Sequence, residues 1–243
     1  MSNEQLSDGD GPAEAPKVEV RTTADGSPTL YVPALNEHYH STHGARQESQ
    51  HVFIEAGLRP LLAAGLGQQE PLKVLEVGLG TGLNALLTLE ATQAVPGATV
   101  AYDGYETHPL PPEAVAALAP QWAASEVLSR VFAQLHREPW GRALLLTSDF
   151  LLRKVRQPLQ AATLPAAAYD LIYFDAFAPE KQPELWTEDI FAKLYYAAAP
   201  GAVLVSYCAQ GQFRRNLRAA GWLTEKLPGP PGKREMTRAR KPA

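Results

Sequence analysis

The chain has 243 residues, with 22 Lys and Arg against 26 Asp and Glu, a formal net charge of −4, 45% hydrophobic residues and a single cysteine. That length suits one large α/β domain with additions, and the lone Cys208 excludes an internal disulfide and any cysteine-cluster metal site. No stretch approaches the roughly 18 uninterrupted apolar residues of a membrane span, and the opening MSNEQLSDGDGPAEAP is acidic and unlike a signal peptide. A cytoplasmic protein with no membrane partner is expected.

In chain order, residues 1–16 are too poor in apolar side chains to fold and are expected to form a disordered tail. Residues 18–21 and 29–32 are β-prone runs around Asp25-Gly26, a hairpin signal. The stretch 35–58 then gathers His38, His40, His43 and His51, with Tyr39 and Glu48 among them. Their spacing fits no standard ligand set, so no metal is expected. A cover over a ligand cleft, backed by a helix from about 45 to 66, is the better reading, with Tyr39 and Glu48 facing a substrate. Residues 17–66 would form this hairpin and cover, and 67–243 the main domain.

The main domain opens on LKVLEVGLGTGLN (72–84), a short apolar strand that breaks into glycines before a helix. Such glycines let backbone amides at a helix N-terminus approach a ligand closely. Leu83 stands where the dinucleotide pattern GxGxxG needs its third glycine. The pattern ExGxGxG instead resembles the first motif of class I methyltransferases, whose ligand is S-adenosylmethionine; a plain strand-to-helix turn is the alternative. This resemblance implies donor-binding roles for Glu76, Gly78, Leu79, Gly80, Thr81, Gly82 and Asn84. It also implies a Rossmann-like, mostly parallel sheet ending in a C-terminal antiparallel hairpin.

A second strand, 98–105, ends at Glu106, placed to accept both ribose hydroxyls, with a surface acid before the turn His108-Pro109 as the alternative. A helix is expected through 111–136. The run 143–147 reads as the third strand, ending in Ser148-Asp149, with Asp149 as acceptor for the adenine amino group or as a helix N-cap. The fourth strand, 169–174, ends at Asp175, and the loop behind it carries Phe177 and Trp186. Ligands of open α/β sheets bind at the C-terminal ends of strands, so Asp175 should share the crevice of the glycine turn. A helix (187–198), a fifth strand (201–206), another helix (210–219) and a hairpin pair (222–226 and 234–237) complete the reading.

From Gly211 to Ala243 nine Lys and Arg stand against two Glu, leaving this tail at +7 and the remainder at −11. The split permits a phosphate-facing patch on an acidic protein, or only a solvated basic end. The segments TADGSPTL (23–30), NEHYHSTHGARQESQHVFIEAGL (36–58), GLGTGLN (78–84), YETHPL (105–110), DAFAPEKQPELW (175–186), GQFRRNLRAAGW (211–222) and GKREM (232–236) together resemble the methyltransferase domain of MnmC-type tRNA-modifying enzymes. The resemblance implies methylation of the 5-aminomethyl group of a wobble uridine, usually 2-thiolated, in tRNA. It implies S-adenosylmethionine as donor and, with no flavin-dependent domain in the sequence, no FAD. Arg214, Arg215, Lys233 and Arg234 would contact tRNA phosphates, and Phe177, Tyr39 or Trp186 would stack on the uracil, with a packing role as the equal alternative for each. No obligate protein partner is implied.

A primary alkylamine has a pKa of roughly 10, so at pH 7 about one in a thousand carries the lone pair needed for attack. Asp175 is the expected proton acceptor, yet a carboxylate beside an ammonium raises the amine's pKa. Two other readings compete. One is a spermidine synthase-like aminopropyltransferase; the other is an RNA-binding module without activity.

Overall fold

A computed structural model describes residues 17–243; the expected tail, 1–16, lies outside the described residues. An N-terminal three-stranded antiparallel sheet comprises β1 (Glu19–Thr22), β2 (Pro28–Val32) and β3 (Glu37–His38). Asp25 anchors its turn: Oδ1 accepts from Ser27 N at 3.0 Å and from Thr23 Oγ1 at 2.6 Å, while Oδ2 accepts from Gln47 N at 3.2 Å. The hairpin is thereby bonded to the first turn of the helix that follows.

That helix runs as α1 (Ala45–Ser49), a π-helical stretch Gln50–Leu58 and α2 (Arg59–Ala63). One carbonyl along it lacks its usual helical partner. Pro60 has no N–H to give the carbonyl of Ala56, and that oxygen accepts from Arg238 Nη1 at 3.1 Å instead. Gly57 meets the sheet directly, since a Cβ there would lie 3.0 Å from Val205 and 3.3 Å from Leu171.

The main sheet has eight strands in the order β10-β11-β9-β8-β4-β5-β7-β6. These are β4 (Leu72–Val77), β5 (Val100–Glu106), β6 (Ala143–Thr147), β7 (Phe150–Arg156), β8 (Tyr169–Phe174), β9 (Ala198–Ser206), β10 (Leu223–Pro228) and β11 (Glu235–Arg240). The β7-β5-β4-β8-β9 pairs are parallel; β6, β11 and β10 run antiparallel to their neighbours. Helices α3 (Leu83–Gln93), α4 (Pro112–Leu118), α5 (Glu126–Arg137), α6 (Glu188–Ala197) and α7 (Gly211–Ala219) cover the two faces. The expected single helix over 111–136 is two, parted by a 3₁₀ turn at Ala119–Trp122 and restarted at Ser125, whose Oγ accepts from Leu128 N at 3.2 Å. No helix of the described residues is long and apolar enough to cross a membrane.

One strand assignment needs correction. Residues 143–147 are not the third parallel strand but the antiparallel edge strand β6, and the third parallel strand is β7. Ser148-Asp149 is the two-residue turn of a β6–β7 hairpin. Asp149 O accepts from Val100 N at the start of β5, so the pair lies at the N-terminal end of the parallel strands, opposite the crevice. The strand end that does reach the crevice is Arg156-Gln157.

Candidate active site

The chain order reverses at β4: β5 and β7 extend to one side, β8 and β9 to the other, and a crevice opens beyond the C-terminal ends of β4 and β8. A cavity of about 1040 Å³ occupies it. The β4 turn forms one wall through Gly78 and Gly80, with φ of 89° and 49°. Gly78 lies hard against the β8 end, where a Cβ would come within 2.5 Å of Asp175 O. Glu106 closes this side. Its Oε2 accepts from Gly80 N at 3.0 Å and its Oε1 accepts from Thr107 N and His108 N at 2.8 Å each. Gln157, at the end of β7, also lines the cavity.

Of the other glycine-segment residues, Glu76, Leu79, Thr81, Gly82 and Asn84 are buried behind this wall. Leu79 packs on Gly104, and Thr81 O bonds to the His136 ring at 3.2 Å. Asn84 has a distinct role: its Nδ2 donates to both Glu76 Oε1 and Asp175 Oδ2, at 2.8 Å each. Glu76 is wholly buried, and desolvation, followed by the Asp175 charge, raises its pKa well above the usual range. Among the described residues its Oε2 lacks a well-formed hydrogen bond, and the Tyr102 hydroxyl is the neighbour that acts on the carboxyl. Burial thus favours the protonated form of Glu76, which steadies Asn84 and through it Asp175.

Asp175 borders the cavity. Burial and then the charge of Glu48 push its carboxyl up to about 7, against the opposing pull of Asn84 and Lys233. Across from it stands the cover. Tyr39 packs edge-on to Phe177 with ring centroids 5.1 Å apart, and both line the cavity with Glu48. Glu48 Oε1 accepts from Ser41 N at 3.2 Å, and Oε2 forms an ion pair with Lys233. Lys233 Nζ lies 4.2 Å over the ring of Tyr207, whose hydroxyl donates to Ala176 O at 2.9 Å.

Several expected ligand contacts are therefore corrected. Ser148 and Asp149 are at the wrong end of the sheet for adenine. Trp186 is a packing side chain, buried against Phe174 and Phe213, with Nε1 donating to Phe177 O at 2.9 Å. Arg214 is buried, donates to Ala209 O at 2.6 Å and pairs with Glu235 at 3.3 Å, so it offers nothing to a phosphate. Lys233 points into the cavity rather than outward. Only Arg215 and Arg234 of that group are exposed. Gln157 and Tyr207 are cavity residues the sequence reading missed. The rule about strand ends, applied to β7 and β9 as it was to β8, would have found both.

Among the described residues no group of three or more His, Cys, Asp or Glu is placed to hold a metal ion. His40, which lines the cavity, and His136 are half-buried; desolvation lowers the pKa of each to about 4, so both are neutral near pH 7.

Comparison with known proteins gives consistent results. A family described as S-adenosyl-L-methionine-dependent methyltransferase matches residues 141–242. The tRNA 5-methylaminomethyl-2-thiouridine biosynthesis bifunctional protein MnmC of Cupriavidus metallidurans is 33% identical over 229 residues, 89% of this chain and 33% of that protein. Its counterpart in Magnetococcus marinus is 35% identical over 93% of this chain and 35% of that protein. This chain thus spans about a third of the length of the curated relatives it matches. Among solved structures, MnmC2 from Aquifex aeolicus superposes with a TM-score of 0.73 at 24% identity, covering 95% of this chain and 74% of that one. Spermidine synthase from Thermotoga maritima reaches 0.54 at 12% identity, covering 95% and 70%. These two likenesses are of fold.

Proposed function

This chain belongs to the MnmC-type S-adenosyl-L-methionine-dependent methyltransferases, and we propose that it methylates the 5-aminomethyl nitrogen of a wobble uridine, usually 2-thiolated, in tRNA. The observation that carries this reading is the position of Asp175, a carboxyl poised near neutrality at the meeting point of the glycine turn and the cover. In this reading residues 17–66 serve as the cover and 67–243 carry the transfer.

The cavity fits the donor on structural grounds. Gly78 and Gly80 present backbone where any side chain would intrude, and Glu106 is an oriented acceptor beside them. Gly78, Gly80 and Glu106 would hold the donor, with Gln157 at the adenine end. S-adenosylmethionine supplies an electrophilic methyl on a sulfonium when bound. At about 1040 Å³ the cavity is at the top of the range of roughly 300–1,000 Å³ for single-ligand pockets, leaving room for the end of an acceptor.

The residues of the chain do the remaining work. Asp175 accepts a proton from the amine, Asn84 fixes the carboxylate that receives it, and Tyr39 and Phe177 offer faces for the extruded uracil. Closure of the cover keeps water from the reacting nitrogen. An aminopropyl-transfer reading rests on fold likeness alone.

Gln157→Ala is expected to weaken S-adenosylmethionine binding by about tenfold, the worth of one hydrogen bond. Asp149→Ala leaves it unchanged; titration calorimetry of both variants checks the corrected strand order. Exposed Arg215 and Arg234 are proposed as tRNA phosphate contacts. With two such contacts the logarithm of affinity falls against that of salt with a slope on the order of −2; a filter-binding series from 50 to 300 mM salt that stayed flat would remove this interface. The activity itself is tested by mass spectrometry of tRNA nucleosides from cells with and without the gene, where loss should accumulate the 5-aminomethyl nucleoside. An unchanged profile would contradict the assignment.

A further inference from the structure

Residues 229–234 join β10 to β11, and Lys233, Arg234 and the Glu235 that opens β11 take separate directions. Arg234 is exposed, Glu235 pairs with Arg214 and Lys226, and Lys233 turns into the cavity against Glu48. A phosphate role leaves this inward placement without a reason. The cavity also poses an electrostatic problem. An ammonium flanked by two carboxylates is strongly favoured in its charged form, since an opposite charge within about 4–6 Å moves a pKa by roughly 1–3. Glu48 and Asp175 border the same space, so a primary amine entering between them unaided would keep its proton and have no lone pair.

We propose that Lys233 is a positioning residue that keeps the acceptor amine in its free-base form: clamped between Glu48 and Tyr207, its ammonium cancels one of the two carboxylates and leaves Asp175 as the single acceptor of the amine's proton. This rests on the amine-methylation reading given above. The amine gives one proton to Asp175, which passes it to solvent. The nitrogen lone pair then forms the bond to the methyl carbon as the carbon–sulfur bond breaks, its electron pair remaining on sulfur. One proton is released for each methyl transferred.

The clamp is built from three directions. Glu48 comes from α1, and its second oxygen is occupied by Ser41 N. Tyr207 follows β9, with its ring under Lys233 Nζ and its hydroxyl bound to Ala176 O. Lys233 arrives from the β10–β11 turn, where His43 of the cover lies against Gly232. The other titratable groups around this cluster include Glu37, Tyr39, His43, Glu106 and Lys181, which line the cavity with it, Glu76, which shares Asn84 with Asp175, and Cys208, whose thiol burial pushes up to about 11. The charges of Glu48 and Lys233 act on Asp175 in opposite senses, as a cancelling pair must.

The test is the pH dependence of single-turnover methyl transfer to tRNA carrying 5-aminomethyluridine, with enzyme and S-adenosylmethionine saturating. This reads the ionisations of the bound complex. Lys233→Met should move the acid limb upward by about one pH unit, about tenfold in rate near pH 7. Glu48→Gln, which frees the cation, should move it downward. The double variant Glu48→Gln/Lys233→Met should return to the wild-type position, and Lys233→Arg should hold it. Both single variants moving in one direction, or losing rate with no shift of the limb, would overturn the proposal. So would a double variant no closer to wild type than either single. Thermal melts confirm that each variant is folded, and the double and arginine variants keep the comparison open if one single variant is not. A wild-type chain that binds donor but methylates no such tRNA would sink the functional reading itself. Wild-type turnover with unmoved variant profiles sinks this inference alone.

Discussion

Asp175→Asn is expected to lower the methyl-transfer rate by about 10²–10⁴, the usual contribution of a positioned general base, while leaving S-adenosylmethionine affinity nearly unchanged. The asparagine can still accept from Asn84 Nδ2, so the geometry behind it survives. Stability should move the other way. In the folded chain the carboxyl titrates at about 7 instead of the ordinary 3.8, so the native state holds a proton that the unfolded state has lost. Asp175 therefore reduces stability progressively as pH rises from about 4 through 7, and by a constant amount above. The variant lacks this loss. Its melting temperature should equal or exceed that of the wild type, by a margin that is small at pH 4 and full at pH 8; calorimetry at both values decides. An Asp175→Asn protein that turned over normally would remove Asp175 from the chemistry.

The second large effect is structural and is expected at Gly78→Ala. At φ +89° any L side chain is strained, and its Cβ would meet the backbone oxygen of Asp175 at 2.5 Å. Neither partner is a flexible side-chain tip, so the ends of β4 and β8 must part. A cost on the order of 2–5 kcal/mol is expected from the backbone strain and overpacking together, with donor binding lost alongside. Gly141→Ala is the control. It shares the positive φ, +81°, but has no atom within 4 Å of a Cβ, so only about 1–2 kcal/mol is expected and donor binding should stay intact. Urea unfolding and calorimetric titration of the two variants separate strain from collision.

Much of this architecture was legible because its signals are local. The buried run of β4, its glycines, the acid at the end of β5 and the YDLIYF strand before Asp175 each announce themselves within about ten residues. The β6–β7 hairpin was misread for a definite reason. ALLLT looks like any third strand, and FLLRKVR, with three basic residues in seven, looks too polar for the sheet interior. Tertiary contacts resolve that polarity: Arg153 donates to Asp103 at 2.9 Å, and Lys154 is buried with Nζ bonded to carbonyls at the end of α5. The fates of Arg214 and Lys233 were equally hidden. A count of basic residues cannot tell which cations are consumed internally, and their acidic partners Glu235 and Glu48 lie 21 and 185 positions away.

The bond between Arg238 and the carbonyl that Pro60 leaves vacant joins positions 182 residues apart, and β11, which bears Arg238, lies inside the sheet between β9 and β10. A nascent polypeptide that had emerged from the ribosome only through β9 would expose one flank of that strand and a gap in its first long helix. Both are completed only when β11 is in place. Truncation within it would leave an open ladder for chaperones or neighbouring chains to engage, and not merely a shorter enzyme.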